Sequence, residues 1–180
     1  MLKDGRGAPA DLNEAAKWLR AAAQSCDPQA QYELARLYQR RGWAKADPAE
    51  AQRWLNEAAL SGIVEAQYRL GVYYWAGRSG RVDLREAVRW TCRAAENGST
   101  QALTTLADFY LTGSGLDMNR FNAYTLLKCA ARRHDAGAVA TLATLEHMLT
   151  RSEKARATRL VMTTKTPRVL VETLIPRQSR

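Results

Sequence analysis

The sequence lacks most of the features that would assign a chain to a chemical function. It has no run of about 18 apolar residues, so no membrane span is predicted, and its first residues lack the apolar stretch of a signal peptide. Its two histidines, His134 and His147, are not spaced as metal ligands with any cysteine. No nucleophile, base and orienting group form a recognisable set. We therefore predict no enzymatic activity, no catalytic residue, no metal and no cofactor, and expect both histidines on the surface or in loops.

Cysteine is also scarce. The three cysteines, Cys26, Cys92 and Cys129, are an odd number, and their spacing follows no CxxC pattern. A bridge between Cys92 and Cys129 would need Cα atoms within about 7 Å, which is closer than neighbouring helix axes usually lie. The sequence therefore favours three free thiols.

The chain has no acidic excess, because its formal net charge is +9. The basic residues are concentrated at the end: residues 151–180 hold eight basic and two acidic side chains, whereas residues 1–150 hold 19 and 16. A groove that follows nucleic acid would need positive charge along its length. Nucleic acid is therefore an unlikely partner, and a nucleic-acid-binding helical repeat is kept as the alternative function.

What the sequence does have is an internal repeat with a period of 36 residues. A fixed period of this length is typical of a stacked helical array. Its marks are a tryptophan column, an alanine pair, a leucine column and a tyrosine column. They occupy Trp18, Trp54, Trp90 and then Leu126; Ala22-Ala23, Ala58-Ala59, Ala94-Ala95 and Ala130-Ala131; Leu34, Leu70, Leu106 and Leu142; and Tyr38, Tyr74, Tyr110 and then Glu146.

Each repeat is predicted to contain two helices, A and B. The A helices should span about Pro28–Arg40, Ile63–Ala76, Thr100–Thr112 and Asp135–Leu149. The B helices should start at Asp11, Asp47, Asp83 and Asn119, where an Asp or Asn side chain can cap the first turn. In the first three, a Glu three residues later can reach back to the cap. Gly62 and Gly98 should lie just past the ends of B helices, and Ser25 stands near the equivalent position in the first copy.

The tryptophan column, the alanine pair and the leucine column are predicted to form the core, with a small residue after each leucine marking a close helix crossing. Trp43 and Trp75 fall outside the column. We expect these two to be the exposed aromatics, with simple packing in loops as the alternative.

The two ends of the chain depart from the repeat. Residues 5–11 resemble the loop Gly113–Asn119, so the chain opens on a half-repeat, and we expect it to belong to a longer array. After the fourth copy, Thr150 and Glu153 form a capping box for a terminal helix reaching about Met162. Within residues 163–180, Pro167 and Pro176 bracket the stretch Val169–Ile175, which is rich in β-branched residues and not helix-periodic, and this predicts a basic extended or disordered tail. The predicted organisation is a repeat domain over 1–162 and a tail over 163–180.

These motifs resemble those of the Sel-one-like repeat (SLR) family, relatives of the tetratricopeptide repeats. The resemblance lies in Ala66, Leu70-Gly71, Tyr74 and Gly77, followed by Asp83, Ala87, Trp90, Ala94-Ala95 and Gly98, and it covers about residues 5–150. The family's fold would make this an all-α protein, a right-handed α/α solenoid of about four helix-turn-helix repeats that ends in a capping helix and an extended tail.

The resemblance implies a non-enzymatic scaffold that binds one or more partner proteins. The ending, at Phe121–Tyr124 and Leu149–Lys154, is similar to the closing repeat of bacterial members and to the periplasmic lipoprotein scaffold of alginate secretion. We therefore expect a role in a bacterial envelope or polysaccharide-secretion assembly and a periplasmic location, with a cytoplasmic location as the alternative.

Partner-binding residues should avoid the core columns and vary between copies, as recognition positions do in solenoids. On the A helices, this leaves positions beside the leucine face and one exposed aromatic; a solvated helix face is the alternative reading. The predicted partner-binding residues are Glu33, Arg36, Arg69, Val72, Trp75, Thr105 and Asp108.

Overall fold

A computed structural model describes residues 9–78 and 80–175, with side chains from residue 12 onward. The described part folds into ten α-helices and one short 3₁₀ turn, Glu146–Met148, with no strand. The helices are α1 Pro9–Gln24, α2 Pro28–Tyr38, α3 Pro48–Leu60, α4 Val64–Trp75, α5 Leu84–Glu96, α6 Thr100–Thr112, α7 Arg120–Ala131, α8 Ala136–Leu145, α9 Arg151–Thr163 and α10 Pro167–Leu174. The chain divides into two compact units between Gln67 and Tyr68.

The alternation of A and B helices is confirmed. Helices α2, α4, α6 and α8 are the A helices, and α1, α3, α5 and α7 are the B helices. The last A helix is shorter than predicted, because α8 stops at Leu145 and the chain tightens into the 3₁₀ turn. Helix α1 begins at Pro9 rather than at Asp11, and proline is well suited to a first helical position. The expected half-repeat loop lies largely outside the described residues.

The capping residues of the later B helices act as predicted, but the glutamates near them do not. Asp47 accepts hydrogen bonds from two backbone N–H groups of α3, and Asp83 and Asn119 each accept one. The Glu50 side chain does not accept a hydrogen bond from the backbone N–H of its cap residue. Its Oε2 instead accepts one from Nε1 of Trp54 at 3.1 Å. The same contact, also 3.1 Å, joins Glu86 to Trp90. An indole N–H facing the core needs a partner, and the carboxylate one turn earlier supplies it.

The B helices end in left-handed backbone conformations. Gly62 and Gly98 have φ values of 94° and 100°, as their positions predict. In the first and last copies, the equivalent residues are Cys26, with φ of 62°, and His134, with φ of 64°. The first of these lies one position beyond the expected Ser25. A side chain at such a φ meets the backbone, so these two ends carry local strain.

The core of the first unit is built where α1, α2 and α3 pack together. Leu34 is fully buried and Trp54 is 6% exposed. Trp18, however, is 72% exposed, so its predicted place in the core is wrong. Helix α3 packs against the A helix that precedes it, whereas no helix precedes α1 in the described part of the chain. Trp43, predicted to be either exposed or packed in a loop, is packed. It is buried beside Tyr38, and its Nε1 donates to Asn13.

The core of the second unit runs through α5, α6 and α7 and includes α9 and α10. The predicted close helix crossing is clearest at Gly71. A Cβ atom there would lie 2.5 Å from Oγ1 of Thr91 and 3.3 Å from the backbone oxygen of Ala87. Any side chain at residue 71 would therefore push α4 away from α5.

The C-terminal segment forms a helix over Pro167–Leu174, so the predicted extended conformation is wrong there. Thr166 caps α10, and Pro167 occupies its first turn. Leu170, Val171, Leu174 and Ile175 are buried, and α10 packs against α5 and α7. Burial of this apolar face outweighs the strand preference of its β-branched residues. The capping box of Thr150 and Glu153 at the start of α9 is confirmed, while residues 176–180 lie outside the described part.

Candidate protein-interaction surface

Six of the seven predicted residues occupy two equivalent repeat positions on α2, α4 and α6, and Trp75 is the seventh. We call these seven residues the A-helix surface and describe its parts in the two units separately. Glu33, Arg69 and Thr105 share one repeat position, and Arg36, Val72 and Asp108 share the next turn on the same face. Trp75 continues this face by one further turn on α4. The repeat register thus gives each A helix one outward stripe with a different composition.

In the first unit, the stripe is an ion pair. Nη1 of Arg36 lies 3.0 and 3.1 Å from the two carboxylate oxygens of Glu33. The guanidinium also lies over the Tyr32 ring, 5.9 Å from its centroid. Both charged side chains are substantially exposed, so the pair contributes little to stability and is accessible to a partner.

In the second unit, α4 carries Arg69, Val72 and Trp75 at intervals of three residues. Arg69 is exposed and Val72 is partly buried. Trp75 is 51% exposed, as predicted, at the last turn of the helix. Three residues span somewhat less than a full turn, so this stripe drifts around the helix but stays on one side of it. Arginine and tryptophan are the residue types most enriched at the energetic centres of interfaces.

Helix α6 carries the polar part of the surface. The hydroxyl of the partly buried Thr105 donates to the backbone oxygen of Gln101 at 2.9 Å. Asp108 is exposed, yet partial burial of its carboxyl group raises the pKa above the ordinary value of 3.8. A cationic partner group would stabilise the carboxylate there and lower that pKa.

The structure also displays surface features that the repeat pattern did not predict. The largest apolar one is Trp18 on α1, hidden from sequence reasoning because its column is buried in the next two copies. Another is a cleft of about 200 Å³ lined by Arg132, Arg133 and Lys165 beside Cys129. Burial raises the pKa of the Cys129 thiol, and the two arginines oppose that shift. His134 and His147 are both exposed, as expected, and the three cysteines are free thiols.

Neither a metal centre nor a membrane helix stands out in the part of the chain that the structure describes. No group of three or more His, Cys, Asp or Glu side chains there could hold a metal ion. Within the same residues, no helix is both long and apolar enough to cross a membrane.

Comparisons with known proteins agree with this architecture. The Sel1 repeat matches residues 1–25, 28–63, 64–99 and 100–135. A crystal structure of a Sel1 repeat protein from Oxalobacter formigenes is 34% identical, with a TM-score of 0.66, and the match covers 70% of this chain and 95% of that one. The structure of c5321, a protective antigen of uropathogenic Escherichia coli strains with an SLR fold, is 21% identical, with a TM-score of 0.61. That match covers 91% of this chain and 41% of c5321, and it concerns the fold alone. No curated protein sequence matches the chain.

Proposed function

Because the chain belongs to the Sel1 repeat family, whose repeats generally mediate protein–protein interaction, we propose that it is an adaptor that binds a partner protein through the A-helix surface. Members of this family are generally non-catalytic scaffolds. That this chain has no enzymatic activity stays a prediction, as does each of the seven partner-binding residues.

The observation that carries the proposal is the stripe on α4. Trp75 is half exposed, and Arg69 and Val72 stand on the same side of the same helix. The exposed half of an indole provides a large, rigid contact area for a partner. The neighbouring arginine supplies directional hydrogen bonds, and the valine supplies apolar area.

The charges on the surface indicate the partner's chemistry. The stripe on α4 has an arginine, whereas the stripe on α6 has Asp108, whose partly desolvated carboxylate a cationic group of the partner would stabilise. We therefore expect a protein segment with an apolar anchor for Trp75 and charges of both signs around it. The tail residues 163–180 are a second candidate contact with the partner, although Leu170, Val171 and Leu174 of α10 are buried.

A pull-down with two variants tests the A-helix surface. The first combines Arg36→Ala, Arg69→Ala and Asp108→Ala, and the second is Trp75→Ala. Each should lower the recovery of partners, and loss of a central tryptophan should weaken binding by about thirtyfold. Met162→Ala is the control, because Met162 is 67% exposed and lies on α9, which is not an A helix. Capture that is unchanged in both variants would remove this surface from the proposal.

We further propose that the adaptor acts in a bacterial envelope or polysaccharide-secretion assembly, in the periplasm. The support is the likeness of Phe121–Tyr124 and Leu149–Lys154 to the closing repeat of bacterial members of the family. A fusion to alkaline phosphatase, expressed from the protein's own reading frame, should be active, because that enzyme needs an oxidising compartment for its disulfides. An inactive fusion of normal abundance would place the protein in the cytoplasm.

The alternative function, nucleic-acid binding, draws on the cleft with Arg132, Arg133 and Lys165. Affinity for RNA measured at two salt concentrations separates the two functions. Binding led by phosphate contacts would weaken steeply as salt rises. A flat, weak response would favour the adaptor.

A further inference from the structure

A cleft of about 480 Å³ opens between α7, α9 and α10 in the second unit. Its apolar lining includes Phe121 and Leu160, which are partly buried, and Leu174, which is buried. Its charged lining is Arg156 and Arg159, both exposed and three residues apart on α9. Residues at this spacing are neighbours on a helix surface, so the cleft joins apolar area to two adjacent positive charges.

The described part of the chain gives these two arginines no counter-charge. Neither of them forms an ion pair within the described residues. The acidic side chains of α9 and α10 have other partners. Glu153 accepts a hydrogen bond from the Thr150 hydroxyl in the capping box, and Glu172 pairs with Arg168 at 3.3 Å. Like charges three residues apart repel each other, so an anion bound between them would be stabilising.

The uncharged polar groups of the cleft are already hydrogen-bonded. Asn119 accepts from the backbone N–H of Asn122, whose side chain donates to the backbone oxygen of Leu174. The hydroxyls of Thr163 and Thr173 donate to backbone oxygens of their own helices at 2.9 and 2.7 Å. An anionic ligand would therefore be recognised mainly by the two guanidinium groups.

Phe121 orients one of these guanidinium groups. The guanidinium of Arg156 lies over the Phe121 ring, 5.1 Å from its centroid. A guanidinium stacked on a ring keeps N–H donors at its edge, in the fork that matches a carboxylate. Stacking also limits the rotamers of the arginine before a ligand binds, which lowers the entropic cost of binding.

Phe121 also lines a second cleft, of about 500 Å³, so the two clefts adjoin. The second cleft includes Met118 and Met148, which are 67% and 58% exposed. Exposed methionines are flexible and polarisable, and they adapt to the apolar side chains of a partner. The charged residues of this cleft, Arg120 and Glu153, are of opposite sign. This second cleft is therefore suited to an apolar side chain.

We propose that the two adjoining clefts form one docking site for a short acidic segment of a partner protein. A carboxylate of the segment binds Arg156 and Arg159, and a neighbouring apolar side chain contacts Met118 and Met148. Charge complementarity selects this occupant over the chain's own residues 176–180, which hold two arginines and no acidic side chain. The site shares no residue with the A-helix surface, so either proposal can fail without the other.

Fluorescence anisotropy with the full chain tests the charged half of the site. The probe is a labelled peptide with a central phenylalanine and three flanking glutamates, and a second peptide has glutamines in their place. The glutamate peptide should bind about tenfold more tightly. Arg156→Glu should weaken its binding by about tenfold or more. Arg85→Glu is the matched control, because Arg85 is exposed and lines neither cleft, and it should leave the affinity unchanged.

The apolar half is tested by Met118→Ser combined with Met148→Ser. This variant should weaken binding of the phenylalanine peptide by about fivefold and leave binding of the same peptide with a central alanine unchanged. Melting temperatures should show that all the variants fold.

Four outcomes would overturn the proposal. The first is no binding of the glutamate peptide to the wild type, and the second is an equal loss in Arg156→Glu and Arg85→Glu, which would mean unspecific attraction to a basic protein. The third is binding that appears only after residues 176–180 are removed, because the chain's own end would then be the occupant. The fourth is displacement of the peptide by an equal concentration of single-stranded RNA, which would favour a phosphate ligand.

Discussion

The phenol of Tyr110 donates a hydrogen bond to the backbone oxygen of Leu174 at 2.6 Å, across 64 positions of sequence. Nδ2 of Asn122 donates to the same oxygen at 3.2 Å. These donors come from α6 and α7 and satisfy a carbonyl at the end of α10, where the helix itself supplies no partner. Tyr110 therefore holds the C-terminal helix on the second unit.

Tyr110→Phe should lower the free energy of unfolding by about 0.5–1.5 kcal/mol, because the buried hydrogen bond is lost while the ring is kept. Urea unfolding measures the change. Tyr73→Phe is the matched control, since the Tyr73 hydroxyl has no hydrogen-bond partner among the described residues. Equal effects of the two substitutions would mean that the contact with Leu174 contributes nothing.

The tryptophan column should give opposite results at two of its positions. Trp54→Ala should cost about 3–5 kcal/mol through a core cavity, because Trp54 is 6% exposed. Trp18→Ala should change stability by less than about 0.5 kcal/mol when the chain is monomeric, because Trp18 is 72% exposed. Thermal unfolding of the dilute protein compares them. Similar costs would show that a further element covers Trp18.

Gly71→Ala should destabilise the protein by about 1–3 kcal/mol, the usual effect of overpacking. Its Cβ would meet Thr91 and Ala87, in part at backbone atoms that cannot move aside. Gly137→Ala on α8 is the control, because its Cβ meets only the end of the Asp135 side chain. Chemical denaturation should show a loss for the first and no loss for the second.

His134→Gly should stabilise the protein by up to about 1 kcal/mol. His134 has φ of 64°, a conformation that costs a residue with a side chain about 1–2 kcal/mol. Glycine avoids this cost, but its greater conformational freedom in the unfolded chain offsets part of the stabilisation. The reverse change at the equivalent position, Gly98→Ala, should destabilise. If both changes shift the melting temperature in the same direction, backbone strain is not the cause.

The three thiols should react with an alkylating reagent in the order Cys26, Cys129, Cys92. Cys26 is exposed, Cys129 is partly buried and Cys92 is buried. Burial raises the pKa of Cys129, so less thiolate is present at a given pH. The alkylation rate of Cys129 should therefore still increase with pH at pH values above 9.0, the ordinary pKa of a thiol. Single-cysteine variants followed by mass spectrometry would separate the rates. A fast reaction of Cys129 at neutral pH would contradict this.

The repeat and its helices could be predicted because each signal is local. A cap such as Asp47, a glycine such as Gly98 and an apolar stripe along one helix act within a few residues, and periodicity multiplies the signal. Trp18 could not be placed this way, because burial depends on a neighbour that the column itself does not reveal. The helix at Pro167–Leu174 was missed for a similar reason, since packing on α5 and α7 decided its conformation.

The A-helix surface was predicted by elimination, so the structure gives its exposure but not its partner. Arg36 and Trp75 lie where a partner could reach them. The hydrogen bonds from the indoles to Glu50 and Glu86 could not be predicted, because a glutamate three residues after a cap is also the signature of a capping box. Where two local rules predict the same residue, sequence alone cannot say which contact forms.

Those indole contacts have a consequence for how the fourth copy diverged. Asn122 stands at the position of Glu86, and Leu126 stands at the position of Trp90. Both members of the pair are replaced together, because a leucine has no N–H that requires a carboxylate. Asn122, at the position of the lost glutamate, instead donates a hydrogen bond from its Nδ2 to the backbone oxygen of Leu174. The fourth copy thus exchanges a side-chain contact within one helix for a contact with the end of α10, so the residue at this position helps to hold α10 instead of an indole.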